Sequence, residues 1–234
     1  MAAAMSVGPE YIACQAPVPK SFDAFFQTLD SMDVALVLNV TPLTEKGRPK
    51  ADLYWPTEVG AVFAAPHGGR ALQLLDMLPS APNDPFVIGR YRLIRPSQSS
   101  SSSSSSSHGG GGGGDGEEGR TVSLLRMQSW PDHGVLPPEM LLRLVQTIGR
   151  LLPSGQRVLC HCSAGIGRTG TLIAADMLYR SMQGSARVHT APDLVHQLLQ
   201  HLRFYRPGMI QTPAQLHSLY QLRDLLQAQQ QQQP

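Results

Sequence analysis

The sequence is short of lysine and cysteine and has no long apolar run. Each shortage excludes a class of protein. Cys14, Cys160 and Cys162 are the only cysteines in 234 residues. So sparse and odd a set is no disulfide framework, and it points to a reducing compartment, the cytoplasm. No second Cys/His pair stands at zinc-ligand spacing, so no metal is expected. No stretch reaches the roughly 18 apolar residues of a membrane-crossing helix. The opening MAAAMSVGPE lacks the charged start and apolar centre of a signal peptide. Net charge is only +2, so no broad footprint for nucleic acid is expected. Lysine occurs only at positions 20, 46 and 50. Arginine carries the rest of the positive charge, and its planar fork suits carboxylate and phosphate.

What remains suffices for one domain. Hydrophobic residues make up 41% of the chain, enough for a core. Residues 21–32 read as a helix, with Ser21 as cap and Phe22, Phe25, Phe26 and Leu29 on one face. Residues 34–40 read as a buried strand, and 41–85 as a loop-rich stretch. Residues 86–95 and 120–128 are strand-like, separated by a Ser/Gly insertion at 96–119. Such runs cannot bury enough apolar surface to order themselves. An amphipathic helix is expected over 139–152, a strand over 157–161, and helices over 168–183 and 192–203. The last of these would start at Thr190 or Ala191, before Pro192. Thr212, Pro213 and Gln215 form a capping box that opens a final helix. The glutamine tail from 227 is expected to be disordered. Strands early and helices late predict a mixed α/β (α+β) fold, a twisted sheet flanked by helices. The domain would run over 9–226, between tails at 1–8 and 227–234.

The stretch VLCHCSAGIGRTG, residues 158–170, concentrates the chemistry. It reads strand, loop, helix. Backbone N–H groups at such a helix start, with the helix dipole, favour an anion. Ser163, Ala164, Gly165, Ile166 and Gly167 are small enough, for the most part, to let the backbone curl into a nest of donors. Arg168 can hold two phosphate oxygens with its fork. Cys162 lies at the base of the same loop, where the donors and Arg168 favour its thiolate. These pieces converge on a phosphate monoester with a sulfur nucleophile beneath its phosphorus.

HCSAGIGRTG resembles the HCxxGxxR(T/S) signature of the tyrosine-specific protein tyrosine phosphatases. The resemblance implies Cys162 as nucleophile, Arg168 as phosphate clamp, Thr169 as a hydrogen-bond donor to the sulfur, and His161 as a group tuning the thiolate. WPDHG at 130–134 resembles the family's acid loop. That implies Asp132 as general acid and then base, Trp130 as hinge anchor, and Pro131 and Gly134 as shapers of a closing loop. YIACQAP at 11–17 is similar to the family's YIATQGP. TEKGRPKADLYWP at 44–56 is similar to its EKxxxKxxxYWP segment, which implies Glu45 as partner of Arg168 and Lys50 as facing the acid loop; the alternative is a solvated charged turn. GMIQTPAQL at 208–216 resembles the QTxxQ segment, with Gln211 positioning the attacking water and Gln215 assisting or capping. Cys160 is either a packed strand residue or a redox partner.

The family also carries several dozen residues before this point, with helices, a first strand and a phosphotyrosine-recognition loop, which are expected to be missing here. The activity implied is hydrolysis of phosphotyrosine in protein substrates, without metal or cofactor, because Arg168 and the loop donors supply the charge stabilisation. The alternatives are a phosphatase of wider range, acting on phosphoserine, phosphothreonine or lipid phosphates, and a phosphotyrosine-binding module without turnover.

Overall fold

A computed structural model of the chain describes residues 8–67, 69–81, 84–95, 119–130, 134–152, 155–184 and 193–232. Two apolar runs of the sequence lie side by side near the middle of its sheet. VALVLN forms β2 (Val34–Asn39) and RVLCHC forms β9 (Arg157–Cys162), and the two pair in parallel. On the far side of β9 lies β1 (Glu10–Gln15), and beyond β2 lies β8 (Gly119–Met127), both parallel to their neighbours. The sheet continues antiparallel through β7 (Phe86–Ile94), β6 (Ala71–Leu78) and β5 (Val62–Ala64). The seven-stranded order is β1-β9-β2-β8-β7-β6-β5. Parallel strands covered on both faces read as continuous apolar runs rather than as alternation, which is why β2 and β9 are recognisable without a pattern.

Successive side chains still part to opposite faces. Leu36, Leu38, Val158 and Cys160 face one core, built with α2 (Pro138–Leu151), α3 (Gly167–Gly184), α4 (Leu194–Tyr205) and α5 (Pro213–Gln231). Val37 and Leu159 face the other, built with α1 (Phe22–Ser31) and the buried Tyr54 and Trp55. Leu144, Val145 and Ile148 of α2 are entirely buried, each contributing about 2 kcal/mol of transfer free energy.

The expected mixed α/β architecture is the one found. The stretch at 41–85 is loop-rich, as expected, but it is not without strands. It holds a two-stranded ribbon, β3 (Thr44–Glu45) with β4 (Arg48–Pro49), and the strands β5 and β6. Gln73 and Asp76 break the apolar pattern of β6, and its pairing with β7 shifts register between Leu74 and Asp76; long-range pairing, not local pattern, makes it a strand.

β7 and β8 form a hairpin whose last pair is Ile94 with Gly119. Gly119, grouped above with the insertion, is thus the first residue of β8, while 96–118 lie outside the described residues. The hydroxyl of Ser21 does not cap α1; it donates to Val18 O at 2.9 Å and accepts from Val18 N at 3.0 Å. The start expected for α4 at 190–192 lies outside the described residues. Its cap is Asp193, whose carboxylate accepts from His196 N at 3.0 Å.

The glutamine segment is not disordered from 227. α5 runs on to Gln231, and Gln230 Nε2 donates to Met182 O at 2.8 Å. Glutamine is a fair helix former, and the helix is already anchored by buried Leu219, Leu222 and Leu226. Among the described residues, no helix is long and apolar enough to cross a membrane.

Candidate active site

Four parallel strands, β1, β9, β2 and β8, send their C-terminal ends to one edge of the sheet. Open α/β sheets place ligands at that edge. Cys162 closes β9 there and is buried, with 6% of its surface exposed. The chain then turns through residues 163–166 into α3.

The shape of this turn follows from what its carbonyls do. Cys162 O faces His161 Nδ1 at 3.2 Å. Ser163 O accepts from Ala16 N at 3.0 Å, and Ala164 O and Gly165 O accept from Arg206 at 3.4 and 2.9 Å. Ile166 O accepts from Gly170 N at 3.0 Å and Ile210 N at 3.1 Å. Every carbonyl from 162 to 166 is therefore engaged by the surrounding frame. Across a trans peptide, N–H and C=O point in opposite directions, and no cis bond occurs among the described residues. The N–H groups of the loop are consequently turned inward, as a nest. One of them, from Gly165, donates to Cys162 Sγ at 3.2 Å.

Gly165 makes the turn possible. Its φ is +70°, and a Cβ there would stand 2.0 Å from Cys14 O. Gly167 has a different duty. A Cβ would meet Gln215 Nε2 at 3.0 Å and Gln211 Oε1 at 3.1 Å, so its bareness lets both glutamines lie over the helix start. Gln215 is buried and uses Oε1 to accept from Gln211 N (2.9 Å) and Thr212 N (3.2 Å). It caps α5 and, by the same bonds, holds the segment that carries the more exposed Gln211. Ser163 and Ala164 are exposed at the rim and Ile166 is half-buried.

Arg168, 7% exposed, enters the site from the first turn of α3. Its Nη2 donates to Glu45 Oε2 at 2.8 Å, its Nη1 contacts Glu45 Oε1, and Nη1 also donates to Thr41 Oγ1 at 2.9 Å. A buried guanidinium needs a paired carboxylate, and the Glu45 side chain is itself only 7% exposed. Glu45 is therefore not a solvated turn residue. Lys50 Nζ lies 3.9 Å from the same carboxylate.

Trp130 is buried, and its Nε1 donates to Gly134 O at 3.3 Å, so the two flanks of the WPDHG loop are joined. Pro131 and Asp132, with the acid role that falls on the latter, lie outside the described residues.

His161 is fully buried. A carbonyl can only accept, so Nδ1, facing Cys162 O, carries the ring proton; Nε2 then accepts from Tyr54 Oη at 2.7 Å. Burial lowers its pKa to about 4. A neutral imidazole folded and a protonatable one unfolded make the unfolded chain take up more protons below pH 6.5. Stability should thus be complete above that pH and fall as pH drops towards 4. The expected loss is about 2 kcal/mol between pH 7.5 and 5, read as the denaturant midpoint at each pH. A His161→Gln variant should be less stable at pH 7.5 and flatter across this window; an unchanged slope would assign the effect to another group.

Thr169 differs from expectation. Its hydroxyl is buried with no hydrogen-bond partner among the described residues, and no bond to the Cys162 sulfur forms. Its polar influence falls instead on Cys160, whose thiol burial pushes up and Thr169 pulls down. Cys160 itself is fully buried within the core, as a packed strand residue. Three residues the sequence reading did not assign complete the frame: Thr41 on Arg168, Tyr54 on His161, and Arg206 on the loop carbonyls. Tyr54 stood in the YWP segment without a role. Nothing local marks Thr41 or Arg206, because their partners lie 127 and 41 residues away.

The family model for protein-tyrosine phosphatase matches residues 2–223. Among curated relatives, the mouse receptor-type tyrosine-protein phosphatase eta is 29% identical over 227 residues, 94% of this chain and 16% of that protein. The human receptor-type tyrosine-protein phosphatase H is 29% identical over 217 residues, 91% of this chain and 17% of that protein. Tyrosine-protein phosphatase 99A of Drosophila melanogaster is 27% identical over 212 residues, 89% and 14% of the two chains. This chain therefore spans less than a fifth of the length of these relatives. A matched region that takes in nearly all of this sequence, together with an inward-facing donor nest around Cys162 and Arg168, places the chain in the protein-tyrosine phosphatase family.

Proposed function

We propose that the chain hydrolyses phosphotyrosine in protein substrates through a cysteinyl-phosphate on Cys162. The observation that carries this reading is the outward engagement of all five carbonyls from 162 to 166, which leaves an anion nest above one sulfur and beside one guanidinium. The phosphate seats on the inward N–H groups and on Arg168, held in place by Glu45 and Thr41. The Cys162 thiolate attacks phosphorus as the bond to the phenolic oxygen breaks, and Asp132 gives that oxygen its proton. Water, positioned by Gln211, then attacks the phosphocysteine while Asp132 takes its proton. The S–P bond breaks, inorganic phosphate leaves and the thiolate is restored. Charge stabilisation comes from fixed donors that need no reorganisation. Trp130 and Gly134 anchor the acid loop, and Lys50 steadies Glu45. Thr169 and His161 act from beneath, Thr169 on the Cys160 thiol and His161 by holding the Cys162 carbonyl. A nucleophilic thiol asks for a reducing compartment such as the cytoplasm.

The test is steady-state hydrolysis of a phosphotyrosyl peptide against its phosphoseryl twin, with Asp132→Ala as control. Turnover is expected for phosphotyrosine and to be at least about 100-fold weaker for phosphoserine, with kcat falling about 100-fold or more in the variant. Equal rates on both peptides would favour a phosphatase of wider range, and tight peptide binding without turnover would favour a binding module.

A further inference from the structure

Two of the three lysines in the chain lie within five residues of each other, in TEKGRPK (44–50), with Arg48 between them. The catalytic reading uses Glu45 and Lys50 and leaves Lys46 and Arg48 unused. The ribbon β3–β4 pairs Glu45 directly opposite Arg48. Directly opposed residues of an antiparallel pair project from the same face, so Arg48 shares the face from which Glu45 reaches Arg168. Lys46 and Gly47 form the turn, with φ of +47° and +73°, as a two-residue hairpin of the type I′ family requires. Asparagine and glycine suit those two positions; here a lysine takes the first, at a conformational cost that a tighter hairpin residue would avoid.

Lys46 and Arg48 are exposed, and neither makes an ion pair among the described residues. Glu45 is not available to them, since its two oxygens face Arg168 and one also faces Lys50. The ribbon therefore presents two unneutralised cations beside the phosphate cradle.

We propose that this hairpin is a specificity element for the reaction above: Lys46 and Arg48 receive the carboxylates of Asp or Glu residues that flank the phosphotyrosine of the substrate. The inference rests on the phosphatase reading of the site. In an extended peptide, a residue two or three positions from the phosphotyrosine lies about 7–10 Å along the chain, which suits a long cationic side chain one ribbon width from the Glu45–Arg168 pair. Exposed pairs of this kind are individually weak, so the two together give a preference of about three- to tenfold, which salt reduces. Such charges act largely on encounter and orientation, and so on kcat/KM more than on kcat.

The experiment compares a phosphotyrosyl peptide with Glu at the flanking positions, one with Gln there, and p-nitrophenyl phosphate, which has no flanks. Wild type is set against Lys46→Asn/Arg48→Gln; asparagine suits the turn, so the ribbon should keep its shape. The expected result is a three- to tenfold higher kcat/KM on the Glu peptide in wild type, shrinking at high salt. It should vanish in the double variant while p-nitrophenyl phosphate turnover is unchanged. A preference that survives in the variant, or its absence in wild type, overturns the proposal. So does an equal loss on p-nitrophenyl phosphate, which would make the hairpin a support of the cradle.

A third peptide with a flanking phosphoserine separates carboxylate from phosphate recognition. If only that peptide is preferred, the occupant is a second phosphate and the carboxylate proposal fails. If wild type turns over nothing, the reading of the site as an enzyme fails, and the hairpin is judged by affinity alone. Cys162→Ser should then bind the Glu peptide three- to tenfold tighter than the Gln peptide, and equal affinities overturn the proposal.

Discussion

Replacing Cys162 by serine should reduce hydrolysis of a phosphotyrosyl peptide by on the order of 10^4-fold or more while leaving its binding within a few-fold of wild type. The two halves have different causes. Serine keeps its proton at neutral pH, so no anionic nucleophile stands under the phosphorus. Binding survives because the cradle does not depend on the sulfur. Its carbonyls are held by Ala16, Arg206, Gly170, Ile210 and His161, and its guanidinium by Glu45 and Thr41. The Gly165 N–H that meets Sγ at 3.2 Å can meet a hydroxyl instead. Single-turnover kinetics and peptide titration by fluorescence read the two quantities separately. Turnover above about 1% of wild type would assign the nucleophile elsewhere, and lost binding would make the thiolate part of the anion site.

Gly165→Ala should also damage the enzyme, less than loss of the sulfur does, for a reason that chemistry alone does not supply. The new Cβ would stand 2.0 Å from Cys14 O, 2.4 Å from Cys14 C and 2.7 Å from Gln15 N. All three are backbone atoms of a paired strand and cannot swing aside. The residue must also hold a φ of +70°. A left-handed conformation costs a non-glycine residue about 1–2 kcal/mol, and forcing the loop away from β1 costs about 1–3 kcal/mol more. A total destabilisation of about 3 kcal/mol is expected, with a loss of kcat/KM of about 100-fold, because the nest and Arg168 shift relative to each other.

Gly155→Ala is the control. It has a φ of +84° and nothing within 4 Å of its would-be Cβ. It should cost about 1 kcal/mol and leave kcat/KM untouched. Chemical denaturation and kinetics of both variants decide the matter; similar behaviour of the two would remove the special role given to the contact with β1.

Much of this molecule is legible before any fold is known. The spacing of Cys162 and Arg168 within a strand–loop–helix pattern is local, and so is the physics that joins helix dipole, small residues and a sulfur. The central strands β2 and β9 and the amphipathic helix α2 are equally local, since burial on both faces, or on one stripe, writes itself into consecutive residues. The capping box at Thr212 was readable for the same reason, and it is formed, with Gln215 N donating to Thr212 Oγ1 at 3.2 Å.

What sequence left open depends on partners far along the chain. β6 is a strand because β7 supplies a ladder, β5 because β6 does, and the glutamine segment is helical because α5 is already docked. Glu45 could have been a solvated turn until the ribbon brought it onto Arg168. Thr41 and Arg206 carry no local mark at all, and Tyr54 carried a motif but no role. Sequence by itself determined the family and which side chains are candidates for the chemistry, because a motif belongs to side chains and their near neighbours. Only the tertiary structure decided how the loop is held, because a nest of inward N–H groups exists only where distant residues hold the carbonyls outward.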